Sequence, residues 1–147
     1  MMISTVDEIL QRKGREVWTI GPKATVLDAL KIMAEKDIGA LVVVQDDELV
    51  GIISERDYAR KIVLKGKASV STRVKDIMTQ KVFYVTPKTT IKECQALLTE
   101  HSVRHLPVLV EGKLAGLISI GDVVKAIIDE QEIEITQLSD YIIGKYA

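Results

Sequence analysis

The chain has a single cysteine, Cys94, in 147 residues, which rules out an internal disulfide framework. It has two histidines, His101 and His105, and metal sites need three or four ligands that this Cys and His content does not supply. Neither sign of charge is in surplus. The 20 Lys and Arg against 21 Asp and Glu are spread along the chain, so no broad field exists to attract nucleic acid or anionic lipid. No apolar run approaches the roughly 20 residues that span a bilayer. The N-terminal MMISTVDEIL carries acidic residues where a signal peptide needs a basic end and an apolar stretch. These absences lead to the expectation of a soluble, cytoplasmic protein whose partners include neither nucleic acid nor membrane.

What is present is a repeat. The hydrophobic content of 47% supports a packed interior, and the length suits one ordinary domain or two half-size units sharing a core. Residues 17–62 align over residues 82–127 without a gap, matching Pro22 with Pro87, Lys23 with Lys88, Gly51 with Gly116, Ser54 with Ser119 and Asp57 with Asp122. A shorter echo precedes each copy, VDEIL at 6–10 and VKDIM at 74–78. Both copies run through the same periodicities. VWTI and VFYV read as short strands ending at a Pro-containing turn. Thr90 followed three residues later by Glu93 forms a capping-box pattern, which Thr25 and Asp28 match less well. Val26, Ala29, Leu30 and Met33 then fall at helical spacing, as do Ile91, Cys94, Leu97 and Leu98. ALVVV with LVGIIS, and LPVLV with LAGLIS, read as buried hairpins closed by the polar turns QDDE and EGK, and a helical pattern resumes after Asp57 and Asp122.

The expected fold is therefore α/β: two pseudo-symmetric β-α-β-β-α repeats packed as one module, since a unit of about 46 residues buries a core poorly alone. The repeats occupy residues 6–64 and 74–130, joined by the polar segment KGKASVSTR. Residues 131–147, with Ile135, Leu138 and Ile142 amid charges, read as an amphipathic helical extension.

Each copy ends its hairpin with Gly-x-x-Ser-x-x-Asp, GIISERD at 51–57 and GLISIGD at 116–122. Taken singly, the Asp is a helix N-cap element and the Gly permits close backbone approach. In combination, a hydroxyl and a helix N-terminus attract phosphate, and an ionised carboxylate accepts hydrogen bonds from a ribose diol. Repeated at a cleft between two copies, that set describes a nucleotide site with apolar strand ends for the base.

The leader VKDIM, the Pro-Lys turn before each capping Thr, the LPV strand and the Gly-x-x-Ser-x-x-Asp exit together resemble the cystathionine β-synthase (CBS) domain in its tandem form, the Bateman module. The resemblance covers roughly residues 6–130. It implies a regulatory module that binds AMP, ADP, ATP, NAD or S-adenosylmethionine in one or two clefts, commonly as a homodimer. Carried over by position, the resemblance implies that one cleft uses Ser119, Gly121 and Asp122. Leu117, Ile38, Gly39, Ala40, Val17, Trp18 and Thr19 would lie around the base, and Arg104 would reach the phosphate. The mirror cleft would use Ser54, Arg56 and Asp57, with Val82, Phe83, Tyr84, Val103, Arg104 and His105 opposite. Copy one has Gly39 where copy two has Arg104, and copy two has Gly121 where copy one has Arg56. From these differences the Asp122 cleft is expected to fill first.

Other residues have plainer readings. Cys94 aligns with Ala29 on an apolar helix face and reads as core rather than nucleophile. His105 either contacts a phosphate or caps a strand end, and Trp18 either stacks on adenine or serves as a core aromatic. Three function classes follow: a nucleotide sensor acting on an unidentified regulated protein, a structural dimerisation unit with vestigial clefts, and an enzyme. With no convergent acid, base and nucleophile the last is set aside, so no catalytic residue and no metal is expected and AMP is the leading ligand.

Overall fold

The computed structural model describes residues 4–130; the segment 131–147, expected to form a helical extension, lies outside the described residues. Copy one contains β1 (Thr19–Ile20), α2 (Val26–Lys36), β2 (Ala40–Gln45), β3 (Glu48–Ser54) and α3 (Glu55–Tyr58), which continues as a wider π-helical turn over Ala59–Val63. Copy two contains α5 (Ile91–His101), β4 (His105–Val110), β5 (Lys113–Ser119) and α6 (Ile120–Glu130). Two leader helices complete the described residues, α1 (Val6–Lys13) and α4 (Val74–Ile77). The sheets are small: β1 pairs parallel with β2 and β2 antiparallel with β3, while β4 pairs antiparallel with β5. The strand expected over VFYV is reduced to a single parallel bridge between Val85 and Val108.

Local chemistry accounts for these elements. Thr25 with Asp28 and Thr90 with Glu93 both form reciprocal capping boxes, so the first copy is capped as well as the second. Bonds from the Thr90 backbone N–H and hydroxyl hold the Glu93 carboxyl below its ordinary range, and Thr25 does the same to Asp28. Each hairpin turns on two residues with positive φ, Asp46 and Asp47 in one and Glu111 and Gly112 in the other. The bulges also match, between Val43 and Val44 and between Val108 and Leu109.

The leaders are exchanged. Val6, Ile9 and Leu10 of α1 bury themselves in the copy-two core with Cys94, Leu106 and Ile118, while Val74 and Ile77 of α4 join the copy-one core with Ala29, Leu41 and Ile53. Backbone bonds repeat the exchange: Asp7 N–H donates to the Pro87 carbonyl at 2.9 Å, and Lys75 N–H donates to the Pro22 carbonyl at 2.9 Å. This explains the recurring glycine. A Cβ on Gly116 would stand 2.8 Å from Leu10 Cδ2, and one on Gly51 would stand 2.7 Å from Met78 Sδ. Each glycine makes room for the leader that precedes the other copy in sequence.

Candidate functional site

The two Ser-x-x-Asp exits share one local geometry. Ser54 N–H donates to Asp57 Oδ2 at 3.0 Å and Asp57 N–H returns to Ser54 Oγ at 3.2 Å; Ser119 N–H donates to Asp122 Oδ2 at 2.8 Å and Asp122 N–H to Ser119 Oγ at 3.1 Å. The capping role of both aspartates is thus real, and any ligand role is additional to it. The surroundings of the two exits differ.

Beside Asp57 lies a cavity of about 590 Å³, a size ordinary for small-molecule sites. The exit motif contributes Ser54, Arg56 and Asp57, and the facing wall is built from Val82, Phe83, Val103, Arg104 and His105. Of the residues expected around this cleft only Tyr84 is elsewhere. It is 56% exposed and borders a separate depression of about 370 Å³ with Val82 and Leu109. The Asp57 carboxylate is buried and well engaged: Oδ2 accepts from Ser54, and Oδ1 accepts from Lys61 Nζ at 3.0 Å and Thr79 Oγ1 at 3.3 Å. A ribose hydroxyl reaching it has the long Thr79 bond to displace.

Beside Asp122 the equivalent position is occupied. Lys13 Nζ lies 2.7 Å from Asp122 Oδ2 and donates to the Leu117 carbonyl at 3.0 Å. Arg12 pairs with Asp129 at the same helix end. The cause is the unequal length of the leaders. α1 remains helical through Lys13, whereas α4 stops at Ile77 and the chain turns extended, Thr79 exchanging backbone bonds with Ile52 at 2.8 and 3.0 Å.

Arg104 was expected at both clefts and Gly39 at the Asp122 cleft, and the structure places both at the Asp57 cavity. Arg104, whose carbonyl accepts from Ile120 N–H at 2.8 Å, lines the Asp57 cavity, and so does Gly39. A Cβ on Gly39 would lie 3.5 Å from Glu55 Oε1 and 3.9 Å from His105 Nε2, so the absence of a side chain keeps that wall open. Ser119 bonds Asp122 directly and Leu117 is joined to it through the Lys13 bridge, with Gly121 exposed beside them. The remaining residues expected there belong to the copy-one framework. Trp18 packs on that core with Lys36 Nζ 4.3 Å from its ring centroid, and Ile38 packs alongside. Ala40 is buried opposite Ser54, Val17 is half-buried and Thr19 is exposed. Phe83, the counterpart of Trp18, stacks on His101 with centroids 3.8 Å apart.

His105 stands between the exits. Burial, with the nearby Lys13 and Arg104 cations, lowers its pKa below the ordinary 6.5 against the opposing pull of Asp122 and Asp57. Cys94 is fully buried and its thiol is pushed up to about 11 by burial and the Glu93 charge, the state of a core residue.

Arg60, Lys61, Thr79 and Lys81 also line the cavity and were not expected from the sequence. Lys61 was accessible, lying four residues beyond Asp57 on the continuing helix. Thr79 and Lys81 follow the second leader, and their place depends on the leader exchange, which the repeat pattern does not reveal.

Comparison with known proteins agrees with this architecture. Residues 6–64 and 74–129 each match the CBS domain family. The chain belongs to the CBS-domain family. It is 41% identical over 153 residues to the mitochondrial CBS domain-containing protein CBSX3 of Arabidopsis thaliana, covering 97% of this chain and 74% of that one. A solved protein with CBS domains from Burkholderia ambifaria, described as a candidate signal-transduction protein, is 56% identical with TM-score 0.83, over 86% of this chain and 96% of that one. A hexameric CBS-CP12 protein from bloom-forming cyanobacteria is 29% identical with TM-score 0.77, over 97% and 88%. The tandem α/β CBS pair expected from the sequence is thus the fold observed, with each family segment lending its leader helix to the other's core. Among the described residues no helix is long and apolar enough to cross a membrane.

Proposed function

We propose that this chain is a non-catalytic regulatory module that binds one adenine nucleotide in the Asp57 cleft. The supporting observation is the contrast between the exits: one opens on a cavity of about 590 Å³, and the other is bridged by Lys13. AMP, ADP, ATP, NAD and S-adenosylmethionine remain the ligand set that CBS membership brings. Differential scanning fluorimetry with each at millimolar concentration tests the reading, because a ligand that binds only the native state raises its stability by RT ln(1 + [L]/Kd). Absence of any shift and of any calorimetric heat would remove it, and appearance of a converted nucleotide on chromatography would remove the non-catalytic part.

Self-association belongs to the same proposal. Ile120, Val124 and Ile128 recur every fourth residue on α6 and are 46%, 46% and 45% exposed. Val63, the copy-one position equivalent to Ile128, is also exposed, so the apolar stripe has a partial pseudo-symmetric counterpart. The cyanobacterial relative is hexameric, which supports the reading. A homodimer is the simplest closed arrangement of such faces, and light scattering of the wild type against Val124→Asp checks it: a dimer reverting to monomer is expected, and a monomeric wild type contradicts it. A cytoplasmic setting is proposed with it, to be read by fractionation, since the Arabidopsis relative is mitochondrial.

A further inference from the structure

We infer that the Asp57 cleft selects its ligand by phosphate-chain length, taking a nucleoside triphosphate or diphosphate in preference to a monophosphate, a nucleoside or a cationic adenosyl compound. The inference rests on the nucleotide reading of that cleft and narrows it to a ligand class. Of the sixteen residues lining the cavity five are cationic, Arg56, Arg60, Lys61, Lys81 and Arg104, against 20 Lys and Arg in the 147 residues of the chain. The lining carboxylates are Glu55 and Asp57. A protein of net charge −1 therefore surrounds this one cavity with a positive excess.

The partners of these cations sharpen the point. Lys61 is matched by Asp57 at 3.0 Å and also donates to the Ile77 carbonyl. Arg56 gives one guanidinium nitrogen to the Ser102 carbonyl at 3.0 Å, while its Nε is buried and has no hydrogen-bond partner among the described residues. Arg60, Lys81 and Arg104 are exposed and make no ion pair among the described residues. They reach the cavity from three elements: the helix after the exit motif, the segment after α4, and the turn before β4. Like charges converging on one concave space repel one another and favour a polyanion, and guanidinium groups match phosphate oxygens in geometry as well as charge. A sulfonium compound entering the same space meets repulsion.

Calorimetry in metal-free buffer at fixed ionic strength, with adenosine, AMP, ADP, ATP and S-adenosylmethionine as probes, tests the inference. Affinity is expected to rise about tenfold from AMP to ADP and again to ATP, each tenfold being about 1.4 kcal/mol, with S-adenosylmethionine the weakest of the charged ligands. Arg60→Gln and Lys81→Gln, substitutions at exposed positions checked for unchanged melting without ligand, are each expected to cut the ATP-to-AMP affinity ratio several-fold. AMP binding as tightly as ATP, S-adenosylmethionine binding more tightly than either, or an ATP-to-AMP ratio unmoved by both substitutions overturns phosphate-length selection and leaves the nucleotide reading standing. No heat from any of the five overturns both.

Discussion

Lys13 and Asp122 sit at the two ends of a 2.7 Å ion pair that ties the last residue of the first leader helix to the exit motif of the second repeat. They are 109 residues apart in sequence, and among the described residues no lysine of α4 bonds Asp57, because that leader is only four residues long. The Lys13 bridge on one side only follows the difference in length between the two leader helices.

Releasing that contact is expected to open the second cleft. Lys13→Met keeps the aliphatic stem and removes the charge, and because the pair is partly exposed the loss of stability should be below about 1 kcal/mol. Calorimetric titration should move from one nucleotide per chain toward two, the second weaker. A stoichiometry unchanged at one means Lys13 is not what closes the Asp122 side.

Exchange of leaders makes each repeat depend on the other's N-terminal segment. Leu10 is buried against Gly116, so Leu10→Ala should cost about 2–5 kcal/mol. Hydrogen exchange read by mass spectrometry should show protection lost first over residues 82–127, and loss confined to 17–62 would contradict the exchange.

Acidification should destabilise the chain through His105. Its folded pKa lies below the ordinary 6.5, so the native state binds that proton less readily than the unfolded chain; the stability it contributes is present above pH 6.5 and is lost as the pH falls below it. Lys13, Arg104, Asp122 and Asp57 are the charged groups that bear on it. The melting temperature of His105→Gln should fall less than that of the wild type between pH 7 and mildly acidic buffer, and parallel declines would exclude His105 as a source.

Cys94, buried and with its thiol pushed to about 11, should resist thiol reagents at neutral pH in the native state and react once denaturant is added. Rapid labelling of folded protein would place it outside the core.

Much of this was legible from periodicity. The gapless alignment of 17–62 with 82–127 carries over to matched capping boxes, matched positive-φ turns and matched bulges, because each is a local response to local residue types. The composition of the Asp57 cleft was legible too, since Ser54, Arg56, Asp57, Phe83 and Arg104 fall at repeat positions. The lysine bridge on the Asp122 side was not. Gly39 was expected on the Asp122 side and lines the Asp57 cavity, where Arg104, expected at both clefts, also lies. Sequence similarity fixes which positions are equivalent between copies, whereas the side of the interface a residue faces depends on how the copies dock. Lys13 escaped for a related reason: the leader legible in the sequence is VDEIL at 6–10, and the helix that continues to Lys13 meets Asp122 only through the exchange.

The most direct measurement is calorimetry of ATP against the wild type, Asp57→Asn and Asp122→Asn, the amide being retained in each case as a capping group. Removing the Asp57 charge takes away a charge-assisted hydrogen bond of about 1.5–3 kcal/mol, roughly a 10–150-fold loss of affinity, while Asp122→Asn should leave binding of the first equivalent unchanged. Loss of that first equivalent in Asp122→Asn, with Asp57→Asn binding like the wild type, would contradict the account.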